Sequence, residues 1–299
     1  MPCGDSRAGA ARLSLPVRPG YEGIGPSRLR LHGGPVLAEL RSRFGDEAAA
    51  KVLAGEVVCA DGSVVDQVTE LPAGAFIYWY RDLPDEVVVP FDVPVLYRDE
   101  NIVVIDKPHF LATMPRGGHV VQTALVRLRR ALGLWELSPA HRLDRLTAGV
   151  LVFTARREVR GAYQTMFASG GVSKTYLARS SAGTLAEPVE LRNRIVKRRG
   201  SLQAVVEPGD VNAVTAVAPL GSGLFQLTPS TGRTHQLRVH MNSLGLPIDG
   251  DPLYPTVLDV AAGDFSTPLQ LLAHRLAFTD PVTGVEREFV SQRTLAAGP

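Results

Sequence analysis

Cysteine is almost missing from this chain: Cys3 and Cys59 are the only two among 299 residues. Two such residues make no disulfide framework and exclude a multi-cysteine zinc site, so a reduced, cytoplasmic setting is expected. Long apolar runs are absent as well. None approaches the roughly 20 residues that span a bilayer, and the N-terminus lacks the compact apolar segment of a signal peptide. No membrane association is therefore expected. Nucleotide fingerprints are also lacking: there is no P-loop and no Rossmann glycine pattern. His235 and His240, five residues apart, are poorly placed to share a metal on one helix face, and nothing nearby adds ligands. No metal is expected.

What is present is the composition of an ordinary globular protein, 45% hydrophobic and 21% charged. The length suits one large domain with an accessory piece. Net charge is only +2, but it is unevenly placed. Between Arg116 and Gly200 there are 16 Lys and Arg against 5 Asp and Glu. Arg127 to Arg130, Arg156-Arg157 and Lys197 to Arg199 form clusters. Taken singly, such clusters are solvated helix faces. Gathered around a site, they are what a polyanion-binding enzyme needs for steering.

The chain is organised around His141-Arg142-Leu143-Asp144-Arg145-Leu146-Thr147-Ala148-Gly149-Val150-Leu151-Val152-Phe153. Val150 to Phe153 is a buried strand by composition, and Thr147 and Gly149 point to a tight approach into it. Arg142, Asp144 and Arg145 then sit on a loop at the mouth of a sheet. A carboxylate between two arginines is favoured in its charged form. An ionised Asp144 fits a base or a nucleophile; a surface salt bridge fits the spacing equally well.

Residues 1–30, rich in Arg, Gly and Pro, are expected to be flexible. Residues 31–88 form a small accessory α/β region: a helical pattern from Pro35 to Leu53, then short strands at 56–58, 63–65 and 75–80. Pro84, Pro90 and Pro94 mark a linker, and the main domain covers residues 89–299. It opens on a strand at 101–105, with a helix at 123–132, a helix at 161–168 and a strand at 173–178 carrying Tyr176. Further strands are expected at 201–219 and 224–227. Leu237, Met241 and Leu244 lie on one helix face that Gly245 ends, with Thr231 or Thr234 as its cap. Arg233, His235 and Gln236 then stand at a helix N-terminus, suited to a phosphate. Strands mixed irregularly with few helices indicate an α+β fold.

Ordered blocks along the chain give it a resemblance. HRLDRLTAGVLVF is similar to the HRLD-x-x-T-[SA]-G signature of the RluA-type pseudouridine synthases. The Lys107-Pro108 corner after the first strand, the Lys174-Thr175-Tyr176-Leu177-Ala178 strand and TGRTHQLRVHM with the following Gly250-Asp251-Pro252-Leu253-Tyr254 extend it, and Leu271 to Phe278 continues it. Together these cover about residues 90–290. Two departures stand out: Ala148 where many relatives have Ser, and an altered run around His274. The resemblance implies a large mixed, mainly antiparallel sheet flanked by helices, with a cleft over its middle. It implies Asp144 as the catalytic carboxylate, Arg238 as its partner and Tyr176 as the ring that stacks on the target base. Arg142 and Arg233 would contact the substrate. The substrate would be structured ribosomal or transfer RNA with a flipped-out uridine, acted on by a monomer. Residues 31–88 are weakly similar to the small RNA-binding domain of ribosomal-protein type, and a plain structural appendage fits them equally well. Isomerising uridine needs no redox change and no external group, so no cofactor is expected. Two other functions stay open at this point: a catalytically inactive RNA-binding or assembly factor on the same fold, and a hydrolase built on Asp144 and His141.

Overall fold

The computed structural model describes residues 22–80 and 82–296. Residues 1–21 of the N-terminal stretch expected to be flexible lie outside the described residues. The chain divides into two compact units, one ending at Pro84 and the other starting at Asp85. Among the described residues no helix is long and apolar enough to cross a membrane.

The small unit contains β1 (Ser27–Arg30), β2 (Gly34–Pro35), α1 (Val36–Phe44), α2 (Asp46–Leu53), β3 (Val57–Cys59), β4 (Glu70–Leu71) and β5 (Phe76–Trp79). Strands β1, β5 and β3 form an antiparallel sheet, with β5 in the middle. Val36, Leu40, Val52, Val57, Ile77 and Trp79 fill its core. Three expectations change here. Ser27–Arg30 is a paired strand with Leu29 buried, so order begins before residue 30. The helical pattern from Pro35 to Leu53 is two helices, because Gly45 takes φ 81° and ψ −175°. That conformation breaks the helical path and is one a glycine adopts without steric cost. The expected strand at 63–65 is reduced to a single bridge, Val58 to Val64.

The large unit runs β6 (Val95–Arg98), β7 (Ile102–Lys107), α3 (Ala124–Leu132), β8 (Ser138–Pro139), β9 (Ala148–Thr154), α4 (Arg160–Ala168), β10 (Ser173–Arg179) and β11 (Val189–Val196). It continues with β12 (Val205–Glu207), β13 (Ala213–Gly221), β14 (Leu224–Pro229), α5 (Gln236–Ser243), β15 (Leu271–Thr279) and β16 (Glu286–Val290). One sheet of 11 strands has the order β12-β11-β13-β14-β10-β15-β9-β7-β6, with β16 on β15 and β8 on β9. Among the described residues, β15–β9 is the only pair of strands in this sheet that runs parallel. This is the mixed, mainly antiparallel α+β sheet that the resemblance implies.

Strands β7 and β9 are buried along their whole length, because both faces of the sheet are covered there. Side chains alternate across a strand. Val103, Ile105, Leu151 and Phe153 therefore pack on one face with Leu125 and Leu128 of α3 and Leu237 and Met241 of α5. Ile102, Val104, Val150 and Val152 pack on the other with Tyr163 and Met166 of α4. Covering both faces explains why the two strands read as unbroken apolar runs rather than alternating ones. Helix α3 is closed at both ends: Thr123 accepts the N–H of Val126 at 3.3 Å, and Gly133 follows in the left-handed region at φ 66°. Strand β11 escaped the sequence pattern. Its Glu190, Arg192 and Arg194 alternate outward, so it lacks a strong apolar run.

Candidate active site

Asp144 sits in the turn between β8 and β9, where the Thr147 N–H closes on the Asp144 carbonyl at 3.1 Å. The end of β7 and the segment after it pin that turn. Lys107 donates to the carbonyl of Arg145 at 3.2 Å, and also to those of Leu111 (2.7 Å) and Pro108 (3.0 Å). His109 Nδ1 bonds the Leu146 carbonyl at 2.8 Å. The Thr113 hydroxyl donates to the Leu143 carbonyl (2.8 Å) and accepts its N–H (3.2 Å). Lys107 is 0% exposed. Burial pushes its ammonium down to about 7, against the opposing pull of Asp144.

His141 stands on the other side of the turn and faces away from the chemistry. Its ring stacks on Phe167 at 4.2 Å, and its Nε2 accepts the Val152 N–H at 3.2 Å. An imidazole nitrogen that accepts a hydrogen bond carries no proton, and burial pushes this group down to about 3. A hydrolase built on Asp144 and His141 finds no partner here. A pH effect on stability follows. The unfolded chain titrates His141 near about 6.5, so it binds more protons than the folded form between that value and about 3. The stabilising contribution is complete above about 6.5 and is lost as the pH falls through that window. The melting temperature should drop between pH 7 and pH 4.5, and less steeply in His141→Phe. Parallel profiles would contradict this.

The turn opens onto a small cleft of about 110 Å³. Arg142, Asp144, Tyr176, Arg233 and Arg238 all line it. Leu143, Leu237, Pro229 and Leu271 supply its apolar wall. Asp144 Oδ2 lies 3.7 Å from Arg238 Nη1 and 4.0 Å from His235 Nε2. Its side chain is 27% exposed and so open to a ligand, while that of Arg238 is 3% exposed.

Tyr176 comes from β10, paired with Leu227 on β14 and Ala273 on β15, directly after a register shift at Thr175/Tyr176. Burial raises its phenol, and so does the charge of Asp144 across the cleft. The group stays protonated and presents a neutral ring. Arg142 and Arg233 are exposed at the rim, and Arg233 Nε is anchored on the Asn212 carbonyl at 3.0 Å.

The start of α5 differs from expectation. Neither Thr231 nor Thr234 caps it; His235 holds that position with φ 59° and no side-chain cap. A non-glycine residue in the left-handed region is uncommon and costs strain. Its ring is oriented by the Tyr254 hydroxyl, 3.0 Å from Nδ1, and burial lowers its pKa. Gln236 points inward, not toward a phosphate. Its amide bonds the Val214 carbonyl (3.0 Å) and the Thr215 hydroxyl (2.9 Å), and its oxygen accepts the Thr231 hydroxyl (2.8 Å) and the Arg233 N–H (3.0 Å). It locks the loop before α5.

Sequence reasoning missed Lys107, His109 and Thr113 as supports of the Asp144 turn, and Asp251 as the main partner of Arg238. Asp251 binds Arg238 Nε at 2.8 Å and Nη2 at 2.6 Å. The Lys-Pro corner and the Gly-Asp-Pro-Leu-Tyr block were visible as motifs, but which side chains they aim at is set by the fold. His274 lies on β15 and does not line the cleft. Among the described residues, no group of three or more His, Cys, Asp or Glu is arranged to hold a metal.

Comparison with known proteins adds an independent line. Residues 101–243 match the RNA pseudouridylate synthase family. The chain is similar to the dual-specificity RNA pseudouridine synthase RluA of Haemophilus influenzae, 32% identical over 65% of this chain and 90% of that one. It is also similar to the ribosomal large subunit pseudouridine synthase D of Xanthomonas campestris, 29% identical over 83% of this chain and 81% of that one. The solved structure of human RNA pseudouridylate synthase domain containing 4 superposes with a TM-score of 0.52 at 27% identity, covering 68% of this chain and 88% of that one.

Proposed function

The chain belongs to the RluA-type family of RNA pseudouridine synthases and is an isomerase of RNA, and from that premise we propose that Asp144 is the carboxylate that converts specific uridines of ribosomal or transfer RNA. The observation that carries this assignment is the placement of Asp144 Oδ2, 3.7 Å from the buried Arg238 and open to a cleft walled by Tyr176.

The reaction breaks the bond from C1′ to N1, turns the freed uracil and forms the bond from C1′ to C5. The C5 proton leaves and N1 gains one, so atoms balance with no outside group. Asp144 starts it either by attacking C1′ or by taking the C2′ proton to give a glycal. Arg238 orients the carboxylate. Tyr176 stacks on the base and limits its rotation. The target nucleotide must leave its helix, at a cost of a few kcal/mol, and Arg142 and Arg233 at the rim offset this through phosphate contacts. The small unit adds RNA contacts of its own through the exposed Arg28, Arg30, Arg41 and Arg43.

Carbodiimide mapping of pseudouridine in total RNA, with and without the gene, tests the function and names the substrate. Loss of one or a few sites is expected. An unchanged map, repeated with purified protein on transcripts, would leave an RNA-binding protein without this activity. A second test concerns Tyr176. Stacking on one base is worth about 1–3 kcal/mol, so Tyr176→Ala should slow turnover roughly 5- to 150-fold, while Tyr176→Phe keeps the ring and stays within about threefold. Equal losses in both would assign the role to the hydroxyl instead.

A further inference from the structure

Arg238 has three nitrogens with which to meet a carboxylate, and Asp251 takes two of them. Nε bonds Oδ2 at 2.8 Å and Nη2 bonds Oδ1 at 2.6 Å. The remaining nitrogen, Nη1, is the one that lies 3.7 Å from Asp144. A fork-to-fork pair of this kind fixes the guanidinium plane as well as its position. Asp251 is in turn held by the backbone: Oδ1 accepts the N–H groups of Leu253 (2.8 Å) and Tyr254 (3.2 Å). Its side chain is fully enclosed. The preceding Gly250 has φ 71°, and a Cβ there would stand 2.5 Å from the Pro268 carbonyl oxygen, so the turn packs against the Pro268 backbone too closely for a side chain. The Tyr254 ring covers the guanidinium at 5.3 Å, and its hydroxyl orients His235. Asp251 does not itself line the cleft.

We propose that Asp251 is a positioning residue for the isomerisation: by occupying Nε and Nη2 of Arg238 it commits Nη1 to the Asp144 carboxylate. The inference rests on Asp144 being the reacting carboxylate. Without Asp251 the guanidinium is free to turn about its own axis, and its contact with Asp144 becomes one of several. Asp251 reaches Asp144 through Arg238, and that route separates it from a residue that merely stabilises the fold.

The test is a double-mutant cycle in single-turnover kinetics, using total RNA from cells lacking the gene, with RNA affinity measured in parallel. Asp251→Asn, which offers one acceptor where the carboxylate offered two, should slow the rate about 30-fold, in line with the cost of a small misplacement. RNA affinity should stay within twofold. Asp251→Asn combined with Arg238→Gln should be no slower than Arg238→Gln alone, because the route through the arginine is already lost. If Asp251→Asn does not fold, Asp251→Glu keeps the charge pair but shifts the fork by one methylene, and it should be slow with normal affinity. A rate within threefold of wild type in the folded variant, or losses that multiply in the double variant, would overturn the proposal. An active Asp144→Asn, or a wild-type protein that modifies no RNA, would instead remove the assignment of Asp144 and this inference with it.

Discussion

Asp144→Asn should abolish isomerisation, by about 10³-fold or more, while RNA affinity stays within a few fold of wild type. The substitution keeps the shape of the side chain and removes only the charge. An amide cannot attack C1′ and cannot take the C2′ proton, so both routes close together. Binding has other sources: Tyr176 on the wall, with Arg142 and Arg233 at the rim, all lining the same cleft. The fold should also survive, for a specific reason. Removing one member of a buried ion pair is costly because the other is left uncompensated, but here Arg238 remains paired with Asp251 through two hydrogen bonds. The measurement is release of tritium from C5 of labelled uridine transcripts, beside a filter-binding isotherm and a melting curve. Tritium release at the wild-type rate would sink the catalytic role of Asp144. Loss of affinity together with activity would assign it to RNA binding.

The parts of this architecture that were legible in the sequence are those set by local periodicity. Val150 to Phe153 and Ile102 to Ile105 are apolar and β-branched enough to declare buried strands, and Leu125, Leu128 and Leu132 declare a helix face. Breaks in the chain were harder. Gly45 divides α1 from α2 inside a pattern that otherwise runs on, because 3.6-residue spacing persists across the break. The site was legible where side chains are drawn from a continuous motif, as with Asp144 and Arg142. It was not legible where distant segments converge. Lys107 lies 38 positions from the Arg145 carbonyl that it bonds, and Asp251 lies 13 from Arg238; no periodicity links either pair. Gln236 shows the opposite failure. Its place at a helix N-terminus suited a phosphate, but four hydrogen bonds turn it into the protein.

Gly149→Ala should cost the large unit about 4 kcal/mol, the range of severe backbone strain and steric overlap. It should lower the melting temperature by about 10 °C, at roughly 2–4 °C per kcal/mol for a unit of this size. Gly149 has φ 112°, outside the range of residues with a side chain, and sits where β9 meets β15 in a parallel pairing of the sheet. A Cβ would stand 2.2 Å from the Ala273 carbonyl oxygen and 2.7 Å from its carbon. Both are backbone atoms of a central strand, so no side chain can swing aside, and the two strands must part. That displacement acts on the cleft. The Asp144 turn leads into β9, whereas Tyr176 is on β10, the other neighbour of β15. Pushing β9 from β15 therefore changes the span between carboxylate and ring, and whatever protein still folds should turn over slowly with Asp144 intact. Gly161→Ala is the matched control. Gly161 lies within α4 with nothing within 4 Å of the new Cβ, so alanine should stabilise by about 0.5–1 kcal/mol. Opposite signs for the same chemical change would trace the cost at Gly149 to the β9–β15 contact. Equal melting temperatures would mean that the sheet yields there freely and that its register does not set the width of the cleft.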